Sequence, residues 1–270
     1  MGAGRLARPC YHPAMLLVLC VLLPFVAILW HDLWIDAEPF SHNGPGRTRI
    51  RVGSGEIFKS SEQAPITEQF AAIQATTLEG TLNLAPEFSQ ENNFRSFEYA
   101  ARGFGPHWLA VATQPRLITL SAEKFNEYLA HDGLVRVLED RKRRGVAANA
   151  EVEESRKCAR TLIGVGELET ADYRIATGLE LELRIACRPE VGQQLAIEVN
   201  FQGKSLPGFM VQAGRAGSTR VLSDDTSQYG IAFFRLDAPG RWYVRGIHML
   251  EVQGKPHHYE SVWGTTTFEI

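Results

Sequence analysis

An alternation of apolar and polar side chains over residues 179–187 constrains the fold more than any other feature of the sequence. Apolar side chains occupy every second position, and Glu180, Glu182 and Arg184 lie between them. Because successive side chains of a β-strand point to opposite faces, this pattern predicts a strand with one buried face and one face in water. Residues 195–201 repeat it, so this half of the chain is expected to form an antiparallel sheet.

Short segments of the same kind recur along most of the chain, separated by glycine and proline. Strands are predicted at residues 33–37, 47–52, 72–78, 80–84, 95–100, 107–113 and 117–120, and again at 209–213, 219–222, 230–235, 240–252 and 262–270. The pattern therefore favours a mainly β protein built from two antiparallel, immunoglobulin-like β-sandwich domains.

A helical period interrupts the strands after residue 120. Ser121 is a favourable helix N-cap, and Phe125 and Leu129 lie one helical turn apart. A second helix is expected over residues 133–143. A third is predicted over residues 151–163, where the apolar stripe consists of Val152, Ala159, Leu162 and Ile163. The chain is thus predicted to divide into a leader (1–30), an N-terminal sandwich (31–120), a helical insert (121–166) and a C-terminal sandwich (167–270).

The leader indicates export from the cytoplasm. Arg5 and Arg8 precede an apolar run over residues 14–30, and acidic residues follow it. Basic residues that flank an apolar segment remain on the cytoplasmic side of the membrane. Residues 31–270 are therefore expected on the periplasmic or extracellular side. Cleavage before His31 would place the bulky Ile28 and Trp30 where signal peptidase needs small residues. A cleaved signal peptide and an uncleaved membrane anchor both remain open.

Composition and motifs exclude several classes of function. A net charge of −3 gives no basic footprint for nucleic acid. The sequence lacks Gly-x-Ser-x-Gly and His-Glu-x-x-His, so we do not expect an enzyme. Cys158 and Cys187 are the two cysteines outside the leader, and they are read either as a disulfide or as two small buried residues.

Several blocks of the sequence resemble the DUF4198 family over residues 31–270. They are residues 106–129, the turn 203–208, the strand entry 239–242, the strand 245–249 and the terminal residues 267–270. The resemblance implies a C-terminal half similar to the carboxypeptidase-regulatory, prealbumin-like sandwich. It also implies a similarity to the periplasmic component of nickel and cobalt uptake systems.

Four histidines are candidate ligands for a transition-metal ion: His31, His248, His257 and His258. Imidazole suits Ni, Co, Cu and Zn, and such groups can converge from different strands without a linear motif. His248 is the first choice, because it shares a strand face with Trp242 and Val244. If the first strand packs nearby, His248 is expected to meet His31, with Asp32 or Glu260 completing the ligand set.

These observations predict an exported cell-envelope protein that binds a transition-metal ion or serves a metal-uptake membrane transporter. The alternative is a membrane-tethered β-sandwich module that binds a protein or a glycan without metal. Five aromatic residues could supply a surface for that alternative or belong to the core: Trp34, Trp108, Tyr229, Tyr259 and Trp263.

Overall fold

The computed structural model describes Met1 and residues 31–63, 65–169 and 171–270. The first nine strands are β1 (Asp32–Glu38), β2 (Ser41–His42), β3 (Gly46–Gly55), β4 (Phe70–Thr77), β5 (Gly80–Asn83), β6 (Ser89–Glu91), β7 (Phe94–Ala101), β8 (Gly105–Thr113) and β9 (Arg116–Leu120). Helices α1 (Ala122–His131) and α2 (Val135–Arg143) follow, and a 3-10 turn (Thr67–Gln69) precedes β4.

After α2, all regular structure in the described residues is β. Its strands are β10 (Glu151–Val165), β11 (Leu181–Ile185), β12 (Gln194–Phe201), β13 (Lys204–Ser205), β14 (Met210–Arg215), β15 (Val221–Asp225), β16 (Ile231–Arg235), β17 (Arg241–Glu251) and β18 (Tyr259–Glu269). The predicted mainly β fold class, with sandwich packing and a helical insert, is confirmed.

The strands of the described residues form three sheets, and the largest lies between the other two. The central sheet contains ten strands in the order β15-β14-β17-β18-β10-β8-β4-β5, with β2 and β9 also paired to β10. One outer sheet has the order β1-β3-β7-β6, and the other consists of β11, β12, β13 and β16. The central sheet draws strands from the predicted N-terminal sandwich, the insert and the C-terminal sandwich, and the predicted domain boundaries stay a prediction.

Each face of the central sheet supports its own hydrophobic core. Leu109 and Ile163 pack with residues of the β1-β3-β7-β6 sheet. Trp108 and Leu162, their neighbours along the same strands, pack with residues of the β11–β12 sheet. Alternate side chains of β8 and β10 therefore point into opposite cores, as the period of a strand requires. Both cores depend on the same two strands.

Helices α1 and α2 cover the part of the central sheet that the outer sheets leave open. The hydroxyl of Ser121 accepts a hydrogen bond from the Lys124 N–H at 3.3 Å, which confirms the predicted N-cap. Phe125 and Leu129 are fully buried and pack with Trp263 of β18.

The predicted third helix over residues 151–163 is wrong, because residues 151–165 form β10. The alternation of this strand is masked by charged side chains that are buried and paired on both of its faces. Glu151 bonds to Arg141 on one face, and Arg160 lies 3.4 Å from Glu182 on the other. Apolar residues then occur only at positions that also fit a helical period.

β10 pairs with the last strand of the chain in parallel, whereas most neighbours in the three sheets are antiparallel. The remaining expectations for the leader fall on residues 2–30, which lie outside the described residues. No helix in the described part of the chain is long and apolar enough to cross a membrane.

Candidate metal centre

Two carboxylates face each other across the parallel strands β10 and β18. Glu154 and Glu260 are partners in the register of this pair, and both side chains are partly buried. Like charges placed directly opposite each other destabilise a sheet unless cations lie nearby. The register alone therefore favours positively charged groups close to these two carboxylates.

His257 adds an imidazole to these carboxylates from the loop before β18. Its side chain is only 5% exposed, and Nε2 lies 3.1 Å from Oε1 of Glu260. Nδ1 is buried and has no hydrogen-bond partner among the described residues. One ligand atom from each of Glu154, His257 and Glu260 lies within 4.8 Å of the others. This is the one group of three potential metal ligands found in the described residues.

Two basic side chains balance the charge of this cluster. Arg156 donates a hydrogen bond of 2.8 Å to Glu154 and lies 3.5 Å from Glu260. Its other terminal nitrogen bonds to Glu180. Lys255 donates to Glu260. Hydrogen bonds from Lys255 and His257 lower the pKa of Glu260, so this carboxylate is ionised and able to ligate at neutral pH.

His258 does not join this cluster, although it is adjacent to His257. Its Nδ1 lies 2.6 Å from Oε2 of Glu151, a residue whose side chain is almost buried and also bonds to Arg141. Glu151 and Glu154 lie on opposite faces of β10, as residues three apart in a strand must. The two neighbouring imidazoles are thus separated by the edge of the central sheet.

The predicted meeting of His248 and His31 does not occur. His248 lies against the ring of Phe201 at 4.4 Å between ring centroids, on the face that carries Trp242 and Val244. Burial lowers its pKa. His31 lies on the other face, where its Nε2 is 2.7 Å from Glu62. The sheet therefore separates the two imidazoles.

His248 shares its face of the sheet with the cluster. It is the register partner of Val262, which is two residues from Glu260 along β18. Asp32, which was a candidate to complete the ligand set, does not belong to the cluster and accepts a hydrogen bond from Arg245 instead. His107 of β8 forms a hydrogen bond with the hydroxyl of Tyr99.

Glu154 is the member of this cluster that the sequence did not identify. Its relation to Glu260 depends on a parallel pairing of strands that are about a hundred residues apart, and on β10 being a strand. The sequence offered one signal for it, the three acidic residues among positions 151–154, namely Glu151, Glu153 and Glu154.

A second group of titratable side chains lies on the helix-facing side of the sheet. Arg245 bonds to both Asp32 and Asp132. Burial raises the pKa of Glu153 to about 7 and lowers the pKa of Lys157 to about 8. The side chains of this group come from β1, β10, β17 and the end of α1. Their charge states are therefore linked to how these elements pack.

The aromatic residues considered for an interaction surface are mostly in the core. Trp34, Trp108, Tyr259 and Trp263 are buried, and Tyr229 is 70% exposed. Cys158 and Cys187 are free thiols, so the two cysteines are not bridged.

Comparisons with known proteins identify a family and no characterised relative. A family model described as "Domain of unknown function (DUF4198)" matches residues 31–249. No curated protein matches the sequence significantly. Similar solved structures include the human OSCAR ligand-binding domain, at 10% identity and a TM-score of 0.21, covering 88% of this chain and 98% of that one. The D0-D1 domain of Intimin gives 11% identity and a TM-score of 0.20, with 88% and 97% covered. These scores carry no argument about binding.

Proposed function

The chain belongs to the DUF4198 family, a domain of unknown function, and we propose that it is an exported cell-envelope protein that binds a divalent transition-metal ion. The observation that supports this proposal is the convergence of Glu154, His257 and Glu260 within 4.8 Å. In this proposal the ion is cargo for a metal-uptake membrane transporter.

The ligand types define which ions the site would accept. An imidazole nitrogen with carboxylate oxygens suits Ni²⁺, Co²⁺, Cu²⁺ and Zn²⁺. Three protein ligands leave at least one coordination position for water or for a ligand from a partner. An ion held in this way could be passed on without first losing every protein ligand.

The neighbouring cations favour exchange over permanent binding. A divalent ion would compete with Arg156 and Lys255 for the oxygens of Glu154 and Glu260. Displacing these groups costs part of the free energy that the ion gains from the carboxylates. A structural metal centre would have no such competitors, whereas a carrier benefits from moderate affinity.

Metal titration of the full-length protein tests the proposal. Ni²⁺, Co²⁺, Cu²⁺ and Zn²⁺ are added in turn, and binding is measured by calorimetry and by the shift in thermal unfolding temperature. One equivalent is expected to bind, and His257→Ala is expected to abolish binding. His258→Ala is the matched control, because it removes the adjacent imidazole on the other face.

Two results would overturn this function. One is the absence of stoichiometric binding for all four ions, and the other is equal affinity in wild type and His257→Ala. The absence of binding would favour the membrane-tethered interaction module without metal, whereas equal affinity in His257→Ala would show that the ion does not bind at this site.

A further inference from the structure

A cavity of about 610 Å³ opens between the edge of the central sheet and the β1-β3-β7-β6 sheet, and none of the candidate metal ligands lines it. It is lined by β4 and β5 of the central sheet and by β7 of the outer sheet. Its volume is within the range of about 300–1,000 Å³ that is common for small-molecule sites.

The cavity exists because the two sheets are not closed along this edge. β5 is the last strand of the central sheet, and β6 pairs with β7 only through residues 94–96. Residues 97–100 of β7 and 80–82 of β5 therefore line the opening from its two sides. Ala75 and Ala100 are small, so their side chains do not fill it.

The cavity combines apolar walls with a polar pair. Phe97 and Leu84 contribute apolar surface, and Leu82, which also lines the cavity, is 64% exposed. Tyr99 and His107 also line it, and the Tyr99 hydroxyl lies 2.8 Å from Nδ1 of the buried imidazole. A few placed polar groups within apolar walls are typical of ligand sites.

The hydrogen bonds of this pair define what it could recognise. Burial lowers the pKa of His107, so the imidazole is neutral and has one N–H. Its Nδ1 accepts from the Tyr99 hydroxyl in one tautomer and donates to the Tyr99 oxygen in the other. In both cases the Tyr99 oxygen keeps at least one lone pair that can accept from a donor outside the pair.

The charged residues at the opening limit the class of ligand that the cavity could bind. Glu79, Glu98 and Arg102 are exposed residues of the lining, so negative charge is in excess. An anionic ligand is disfavoured there. We propose that this cavity binds a small, uncharged, largely apolar molecule that carries a hydroxyl or N–H donor, which bonds to Tyr99.

Binding of 4-methylphenol and toluene to the full-length protein tests this inference. The two probes have the same apolar body and differ in the hydroxyl, and benzoate serves as an anionic probe. Perturbation of amide resonances in NMR spectra would report binding and its location. In wild type, 4-methylphenol is expected to bind about three- to tenfold tighter than toluene, as one net hydrogen bond allows, and benzoate is expected not to bind.

Two variants assign the site. Tyr99→Phe keeps the ring and is expected to remove the preference for 4-methylphenol over toluene. Ala100→Trp is expected to block both probes, whereas Ala71→Trp, at an exposed position of β4 outside the lining, is expected to leave them bound. The proposal would be overturned by no saturable binding of 4-methylphenol, by equal affinity for the two neutral probes in wild type, or by binding that Ala100→Trp does not change.

Discussion

The guanidinium of Arg156 donates a hydrogen bond of 2.8 Å to the carboxylate of Glu154. Arg156 thereby holds one of the oxygens that the proposed metal ion would need. An internal cation in this position sets the affinity of the site, because binding of the ion and binding of the guanidinium compete.

Replacing Arg156 by Gln should strengthen metal binding. The Arg156 side chain is 25% exposed, so the energy of its ion pairs is taken as that of modest surface pairs. Losing them is expected to lower the Kd for the metal ion by about two- to fivefold. Calorimetric titration with Co²⁺ measures this change. Arg220→Gln, which removes an exposed partner of Asp237, is the matched control and should leave the Kd unchanged. An unchanged or weaker affinity in Arg156→Gln would contradict competition at the site.

Removing Glu151 should destabilise the protein strongly. The Arg141 side chain has no exposure to solvent, and its partner Glu151 is 6% exposed. Glu151→Ala leaves this charge buried without its carboxylate, which is expected to lower the free energy of unfolding by about 3–5 kcal/mol. Urea denaturation measures the loss. Glu139→Ala, at an exposed position of α2, should change it little. A loss in Glu151→Ala no larger than in this control would show that Arg141 does not depend on Glu151.

Glu153 should make stability depend on pH near neutrality. Its carboxylate accepts hydrogen bonds from Ser261 and Tyr128 and interacts electrostatically with Lys157 and Asp132. Burial raises the pKa of this carboxyl group from 4.5 to about 7. A raised pKa means that the folded state favours the protonated form. The stability from this proton is complete below the unfolded pKa of 4.5 and is lost as the pH rises through about 7.

Glu153→Gln cannot ionise and keeps an oxygen that accepts hydrogen bonds. Relative to wild type, the variant should therefore gain stability as the pH rises from about 5 to about 8. Thermal unfolding across this interval measures the difference. Glu127→Gln, at an exposed position of α1, is the control. Parallel pH profiles for wild type and Glu153→Gln would rule out this titration.

Gly264 should not tolerate a side chain. A Cβ there would lie 2.5 Å from Leu183 Cδ1 and 3.0 Å from two carbons of Leu181. Gly264→Ala is expected to lower the free energy of unfolding by about 1–3 kcal/mol, because two packed leucines must move. Gly44→Ala is the matched control, since a Cβ at Gly44 meets nothing within 4 Å. Equal stability of the two variants, measured by urea denaturation, would contradict close packing of β11 on β18.

Most strands were predictable because their alternation is visible in the sequence. Residues 195–201 and 240–252 correspond to β12 and β17 within a few residues. The Ser121 cap and the helix that follows it were predicted for the same kind of local reason. These signals depend only on neighbours along the chain.

The arrangement of these strands was not predictable in the same way. β10 carries its charges into buried pairs on both faces, and this removes the alternation that identifies a strand. Its parallel partner β18 is the C-terminal strand, so the relation of Glu154 to Glu260 appears only once the sheet is assembled. His257 was a candidate from its residue type, whereas the separation of His31 from His248 followed from the position of the sheet between them.

The position of β18 has a consequence for the order in which the central sheet can form. This strand lies between β10 and β17 near the middle of the sheet. It pairs with β17 as a neighbour along the chain, whereas its pairing with β10 joins residues about a hundred positions apart. The entropy of closing so long a loop is lost before the contacts form, so pairing of this kind is slow. Both hydrophobic cores use β10, and their completion therefore waits for this one long-range pairing.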